Sequence, residues 1–150
     1  MGLLPKNWWK SGGKMIEPVK RFVLDAYAIL VYIQDEKEAS TIEDILRLCV
    51  QKRVQTFMST INLGEVYYKT LRGFDQDTAE KVMASLRQLP MEIVHPDEEM
   101  VWNAARIKAE HPISYADCFA VALAIDKRAS IITGDPDFKK VKSLIRIEWL

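Results

Sequence analysis

Five carboxylates stand where side chains are placed to do chemistry rather than to pack. Asp25 ends the apolar run Phe22-Val23-Leu24. Glu65 lies early in a helical stretch opened by Ser59 or Thr60. Asp117 follows Ser114 by three residues at the start of another helix. Asp135 follows the β-branched run Ser130-Ile131-Ile132-Thr133, with Asp137 two residues on. Alone, each has an ordinary structural explanation. Asp25 and Asp135 are turn formers, Asp117 completes a Ser-x-x-Asp capping arrangement, and Glu65 pairs with Lys69 one turn later. Together they have another. Like charges gathered at one edge raise one another's pKa unless a cation sits among them. An oxygen-only set without His or Cys selects Mg²⁺ or Mn²⁺ over zinc. Such a cluster activates water and steadies charge developing at a phosphoryl centre.

The elements that must gather these acids follow from periodicity. Short apolar or alternating runs predict strands over 22–24, 55–58, 92–94, 130–133 and 145–149. Ile42, Ile45, Leu46, Cys49 and Val50 follow helical spacing, so residues 39–53 predict an amphipathic helix. A second helix carries Ile61, Leu63, Glu65, Val66 and Leu71 and stops at Gly73. A third, starting at Asp77, carries Val82, Met83, Leu86 and Leu89 and ends at Pro90. Pro96 and Asp97 open a helix with Val101, Trp102, Ala105 and Ile107, broken by His111-Pro112. Ser114 caps the next, 115–128, whose packing stripe is Ala116, Phe119, Ala120, Leu123 and Ala124. Strands alternating with helices predict an α/β fold: a mainly parallel central sheet of about five strands between two helical layers. Open sheets of this kind bind ligands outside the carboxyl ends of their strands. The topology therefore brings Asp25, Glu65, Asp117 and Asp135 to one rim.

Composition narrows the function classes. The chain of 150 residues is the size of one domain, placed at 21–150, preceded by an arm over 1–20 that carries Trp8 and Trp9. Residues 1–14 lack the apolar stretch of a signal peptide, and apolar runs such as 119–125 are too short to span a membrane. With 21 basic and 21 acidic residues, the surface as a whole is no nucleic-acid footprint, which leaves a local basic patch beside a local acidic pocket. Cys49 and Cys118 lie in helical patterns and read as buried free thiols rather than a disulfide or zinc ligands. His95 and His111 each adjoin a proline and read as surface or capping residues. A phosphoryl-transfer fold with an aspartate nucleophile also places Asp after a parallel strand. It needs a second acid two residues later, and Tyr27 stands there.

Four segments carry a family resemblance: Phe22-Val23-Leu24-Asp25, Asn62-Leu63-Gly64-Glu65-Val66, the block Ile113-Ser114-Tyr115-Ala116-Asp117-Cys118-Phe119-Ala120-Val121-Ala122-Leu123-Ala124, and Ile132-Thr133-Gly134-Asp135-Pro136-Asp137-Phe138. In these the chain resembles a PIN domain and, within that family, a VapC-type toxin. The resemblance spans roughly residues 21–150. It implies that Asp25, Glu65, Asp117 and Asp135 are the catalytic acids. Asp25, Asp117 and Asp135 would hold Mg²⁺ or Mn²⁺, with Asp137 auxiliary. It further implies cleavage of RNA, homodimerisation, a small antitoxin partner and a cytoplasmic setting. Two neighbouring readings share the fold: a ribonuclease of RNA maturation, and a scaffold that binds RNA or protein with weak catalysis. The family often has Ser or Thr just after the first Asp. Ala26, Tyr27 and Ala28 follow here, and Thr133 offers the hydroxyl from the other side of the site. Lys69, Arg72, Arg106, Lys108, Lys139 and Lys140 are the nearby cations that could meet substrate phosphates.

Overall fold

Alternating side chains in the inner strands are apolar on both sides, which requires a sheet covered twice. Val23, Phe57 and Ile131 face one layer; Leu24, Met58 and Ile132, each one residue on, face the other. The computed structural model describes residues 19–150, and its strands are β1 (Lys20–Leu24), β2 (Val54–Ser59), β3 (Glu92–Val94), β4 (Ser130–Thr133) and β5 (Ile147–Trp149). They form one sheet in the order β3-β2-β1-β4-β5, and every neighbouring pair is parallel. Helices α1 (Ala26–Ile33), α2 (Ala39–Val50), α3 (Thr60–Gly73) and α4 (Gln76–Leu86) build the layer over Leu24 and Met58. Helices α5 (Glu98–Glu110) and α6 (Tyr115–Lys127) build the layer over Val23 and Phe57. The α/β/α architecture read from the sequence is the one the chain adopts. The expectations for residues 1–18, Trp8 and Trp9 among them, lie outside the described residues.

Local chemistry starts the helices where it should. Asp25, Ser59, Asp75, Asp97 and Ser114 each accept a hydrogen bond from a backbone N–H of the first turn, the N-cap arrangement. Burial then holds them: Leu24, Ile29, Ile42, Met58, Leu86, Leu123, Ile131 and Ile132 are essentially inaccessible to water. Each such side chain contributes about 1.5–3 kcal/mol.

Three expectations change in detail. Helix α6 has no single packing stripe; Asp117 through Ala124 are all buried. It runs between the sheet, α5 and α3, and Ala120, Ala122 and Ala124 are small enough to let neighbours approach from every side. On α5, Trp102 is exposed and Ala104 is the buried residue, flanked by Val101 and Ile107. The helix packs on α6 through a narrow stripe, so the wider face expected from Trp102 and Ala105 does not form. The segment after β4 is a 3-10 helix, Pro136–Val141, which buries Phe138 and Val141.

Cys49 and Cys118 are free thiols, the latter buried. The Cys49 Sγ and the Thr56 Oγ1 both donate to the Pro90 carbonyl, at 2.7 and 3.0 Å, which ties α2 and β2 to the approach of β3. His111 closes α5, and His95 Nδ1 lies 2.6 Å from Thr60 Oγ1. Among the described residues no helix is long and apolar enough to cross a membrane.

Candidate active site

Chain connections leave β1 toward β2 and return later to β4 on its other side. The crevice between the carboxyl ends of β1 and β4 is therefore the topological switch point, where sheets of this kind take ligands. Asp25 and Asp135 flank that crevice, and Thr133 joins them. Its hydroxyl donates to Asp25 Oδ2 at 2.5 Å and accepts from the Asp135 N–H at 3.0 Å. The hydroxyl missing after Asp25 is thus supplied by a residue 108 positions away. Asp25 Oδ1 accepts from the Ala28 N–H at 2.8 Å, so one carboxylate both caps α1 and is fixed against β4. Each of its oxygens keeps further acceptor capacity.

Glu65 and Asp117 arrive from two other helices. Asn62, wholly buried, donates its side-chain amide to the Ala116 carbonyl at 3.1 Å and so braces the start of α3 against the start of α6. Glu65 lies one turn beyond Asn62 and Asp117 one residue beyond Ala116. Ser114 holds the turn by accepting from the Asp117 N–H at 3.1 Å. Asp25, Glu65, Asp117 and Asp135 line one pocket of about 240 Å³. Asp137 is not among its lining residues; it is half exposed and paired with Lys140 at 3.1 Å.

The pocket's electrostatics follow from burial and repulsion. Burial pushes the Asp25 carboxyl up to about 7. Hydrogen bonds from Thr133 and Ala28 pull the other way, and the charges of Asp117 and Asp135 push it further up. Burial likewise raises Asp117 to about 6. Ser114 opposes the shift, while Glu65, Asp135 and Asp137 add to it. Of the six cations named from the sequence, Lys69 alone lines the pocket, 3.1 Å from Glu65 Oε1. Burial works against its charge, but the hydrogen bond and charge of Glu65 outweigh it and hold the ammonium above its ordinary pKa. Other cations in that set are engaged elsewhere: Arg72 lies over the Tyr68 ring, Arg106 bonds Asn103, and Lys108 donates to the Ile113 carbonyl.

Tyr27, Gln34 and Glu36 also line the pocket, and sequence reasoning missed all three as site residues. Tyr27 is set by Gly134, where an added Cβ would fall on its ring, 2.9 Å from Cζ and closer still to Cε1. Asp35 takes a left-handed backbone, φ 50°, and turns the chain after α1, beside Glu36 in the pocket lining. The polar run Gln34-Asp35-Glu36 was the available signal for that turn.

The donor set fits a hard divalent cation. It is oxygen-only, crowded with negative charge, and includes Glu65 Oε2, which is buried without a hydrogen-bond partner. As the side chains stand, no three Asp, Glu, His or Cys groups among the described residues are close enough to hold one ion. Coordination would draw the carboxylates inward.

The profile of the PIN domain matches residues 22–144. The chain belongs to the PIN domain family. Solved PIN-like structures share its course. VapBC2 from Rickettsia felis, bound to a DNA fragment from its promoter, superimposes with a TM-score of 0.69 at 18% identity, covering 85% of this chain and 97% of that one. VapC20 from Mycobacterium tuberculosis, a sarcin–ricin loop cleaving toxin, gives 0.63 at 18% identity, covering 81% and 95%. VapBC-1 from nontypeable Haemophilus influenzae gives 0.63 at 16% identity, covering 86% and 97%. At these identities the shared property is the fold. No curated protein matches this PIN domain's sequence.

Proposed function

We propose that this PIN domain is a Mg²⁺- or Mn²⁺-dependent endoribonuclease that acts as a toxin and is neutralised by a small antitoxin. One observation carries the reading: four carboxylates from four separate elements line one pocket at the switch point. Asp25, Asp117 and Asp135 are the residues to hold the ion. A divalent ion bound there supplies an acidified water and neutralises charge at the scissile phosphate. Thr133 fixes the Asp25 carboxylate, and the Asn62 brace keeps Glu65 opposite Asp117. Glu65, with one buried oxygen free to accept a hydrogen bond, orients the attacking water. Lys69 holds the other Glu65 oxygen and offers positive charge to an incoming phosphate.

The toxin role draws support from the fold shared with VapC20 and the VapBC structures. A groove of about 570 Å³ beside α4 offers Tyr32, Ile33, Val82 and Leu89 to an antitoxin segment. The apolar face of α2 is no part of that offer, because Ile42 and Leu46 are buried in the core. A second copy of the chain is the other expected partner. Both are read by light scattering of the purified chain with and without its antitoxin.

The nuclease reading is tested with purified Asp117→Asn, checked for folding, on structured and unstructured RNAs in Mg²⁺ and in EDTA. Loss of cleavage in the variant and in EDTA is expected. Full activity in Asp117→Asn overturns the assignment.

A further inference from the structure

The amino ends of the strands carry a feature that the acidic pocket does not use. A cleft of about 440 Å³ opens there between the starts of β1, β4 and β5, lined by Lys20, Arg21, Arg128 and Arg146 against one acid, Glu148. We infer that this cleft is a second, metal-independent site that binds the phosphodiester backbone of single-stranded nucleic acid. The inference rests on the proposed function only for the strand's identity as RNA.

Part of the cleft is built rather than merely charged. Arg21 is fixed, donating through Nε to Gln55 Oε1 at 3.0 Å and through Nη1 to the Lys127 carbonyl at 3.1 Å. Arg146 is steered by Glu148 at 3.3 Å while most of its side chain stays exposed. Lys20 and Arg128 make no side-chain hydrogen bond or ion pair among the described residues. Compensation of the α6 dipole explains basic residues at Lys127 and Arg128. It does not explain Lys20 or Arg146, which stand at or before strand starts.

Three non-glycine residues among those described have a left-handed backbone, and two of them are basic and on this rim: Arg128, φ 52°, and Lys52, φ 59°. Lys52 precedes by two residues Val54, which pairs with Lys20. Glycine or asparagine ordinarily takes such positions. Both stand at helix ends, where such a turn closes the helix, and of the two Arg128 lines the cleft.

The chemistry favours phosphate over an acidic protein surface. Guanidinium forks match phosphate oxygens in pairs. Among the described residues the large apolar side chains lining the cleft are Val19 and Phe22, too little for the apolar anchors of a protein interface. Five-residue β1, buried between two helical layers, separates the cleft from the acidic pocket by about 17 Å, so the two sites lie on opposite rims of the sheet.

The test uses the full chain carrying Asp117→Asn, so that RNA is not consumed, in EDTA. Anisotropy of a short labelled oligouridylate is followed across a salt series, with and without Lys20→Gln, Arg128→Gln and Arg146→Gln together. Expected are roughly a tenfold or greater loss of affinity and a salt dependence shallower by about two in log–log slope, at about 0.7 per lost phosphate contact. The charge-preserving set Lys20→Arg, Arg128→Lys and Arg146→Lys should keep the salt slope and part of the affinity, and an unchanged thermal melt of the glutamine set excludes misfolding as the cause. Unchanged affinity and slope overturn the inference. So does polyglutamate binding the cleft more tightly than RNA, which would make the partner an acidic protein. Normal binding by the triple variant leaves the nuclease reading intact, and a wild-type chain that binds but never cleaves leaves this one intact.

Discussion

At the carboxyl end of the sheet, five acids line a pocket into which one lysine reaches; at the amino end, four bases line a cleft that one glutamate enters, counted among the described residues. Equal totals of 21 basic and 21 acidic residues conceal this polarity. The sequence left room for a basic patch beside the acidic pocket, and the structure puts four basic residues around one cleft at the opposite rim. Parallel strands sort charge by position within each element: residues just after strands share one edge and residues just before strands share the other. Each end also keeps residues at a cost to stability. Asp25 and Asp117 are buried carboxyls among like charges. Lys52 and Arg128 occupy left-handed backbone that suits glycine. At the acidic end such a cost marks function better than composition does.

The strongest way to break the contrast is at the acids. Asp25→Asn should lower RNA cleavage in saturating Mg²⁺ by about a hundredfold or more, whereas Lys20→Gln should act through RNA affinity and lower the maximal rate far less. Equal losses from the two in a single-turnover assay would abolish the distinction between the ends.

Next in size is the pH response of metal-free stability. The folded pKa values of Asp25 and Asp117, about 7 and about 6, lie above the ordinary 3.8. Between pH 4 and 7 the folded chain therefore holds protons that the unfolded chain has released. Stability from this source is full at the acid end of that window and is lost as pH rises through the folded values, by several kcal/mol in all. Denaturant melts in EDTA should show the fall. Asp25→Asn should flatten it, and Mg²⁺ should stabilise more at pH 8 than at pH 5. A stability independent of pH in this window would mean that burial does not disfavour the charged forms of the two acids.

Gly134→Ala probes how tightly the acidic end is built. The new Cβ would strike the Tyr27 ring and should cost about 1–2 kcal/mol. Tyr27→Ala in the same chain should recover most of it, as a double-mutant cycle of thermal melts would reveal. Additive losses would mean that the two residues are not in contact.

The smallest expected effect is at the basic end. Arg128→Gly removes a left-handed non-glycine residue and should stabilise the chain by about 0.5–1 kcal/mol while weakening oligouridylate binding. Lower stability in urea melts would show that Arg128 is there for the fold.

Much of this was legible in the chain itself. Paired apolar residues such as Val23-Leu24 and Ile131-Ile132 announce strands buried on two faces, and Ser114 announces the helix that presents Asp117. Trp102 was misread because spacing alone cannot say whether a helix packs broadly on a sheet or narrowly on another helix. Asp137, grouped with the site acids as an auxiliary, does not line the pocket and pairs with Lys140, while its charge still reaches Asp117.

By itself, the order of strands and helices determined that acids following strands would share an edge, because parallel pairing leaves every carboxyl end on the same side. Tertiary structure alone decided that Thr133 would bridge Asp25 to Asp135, that Asn62 would brace Glu65 opposite Asp117, that Lys69 would be the pocket's cation, and that Glu36 would join its lining. Apart from Lys69, which reaches Glu65 by ordinary helical spacing, those pairings join segments that no local period relates. They exist only once β1 lies between β2 and β4, and closing such long loops is settled by the packing of the whole core.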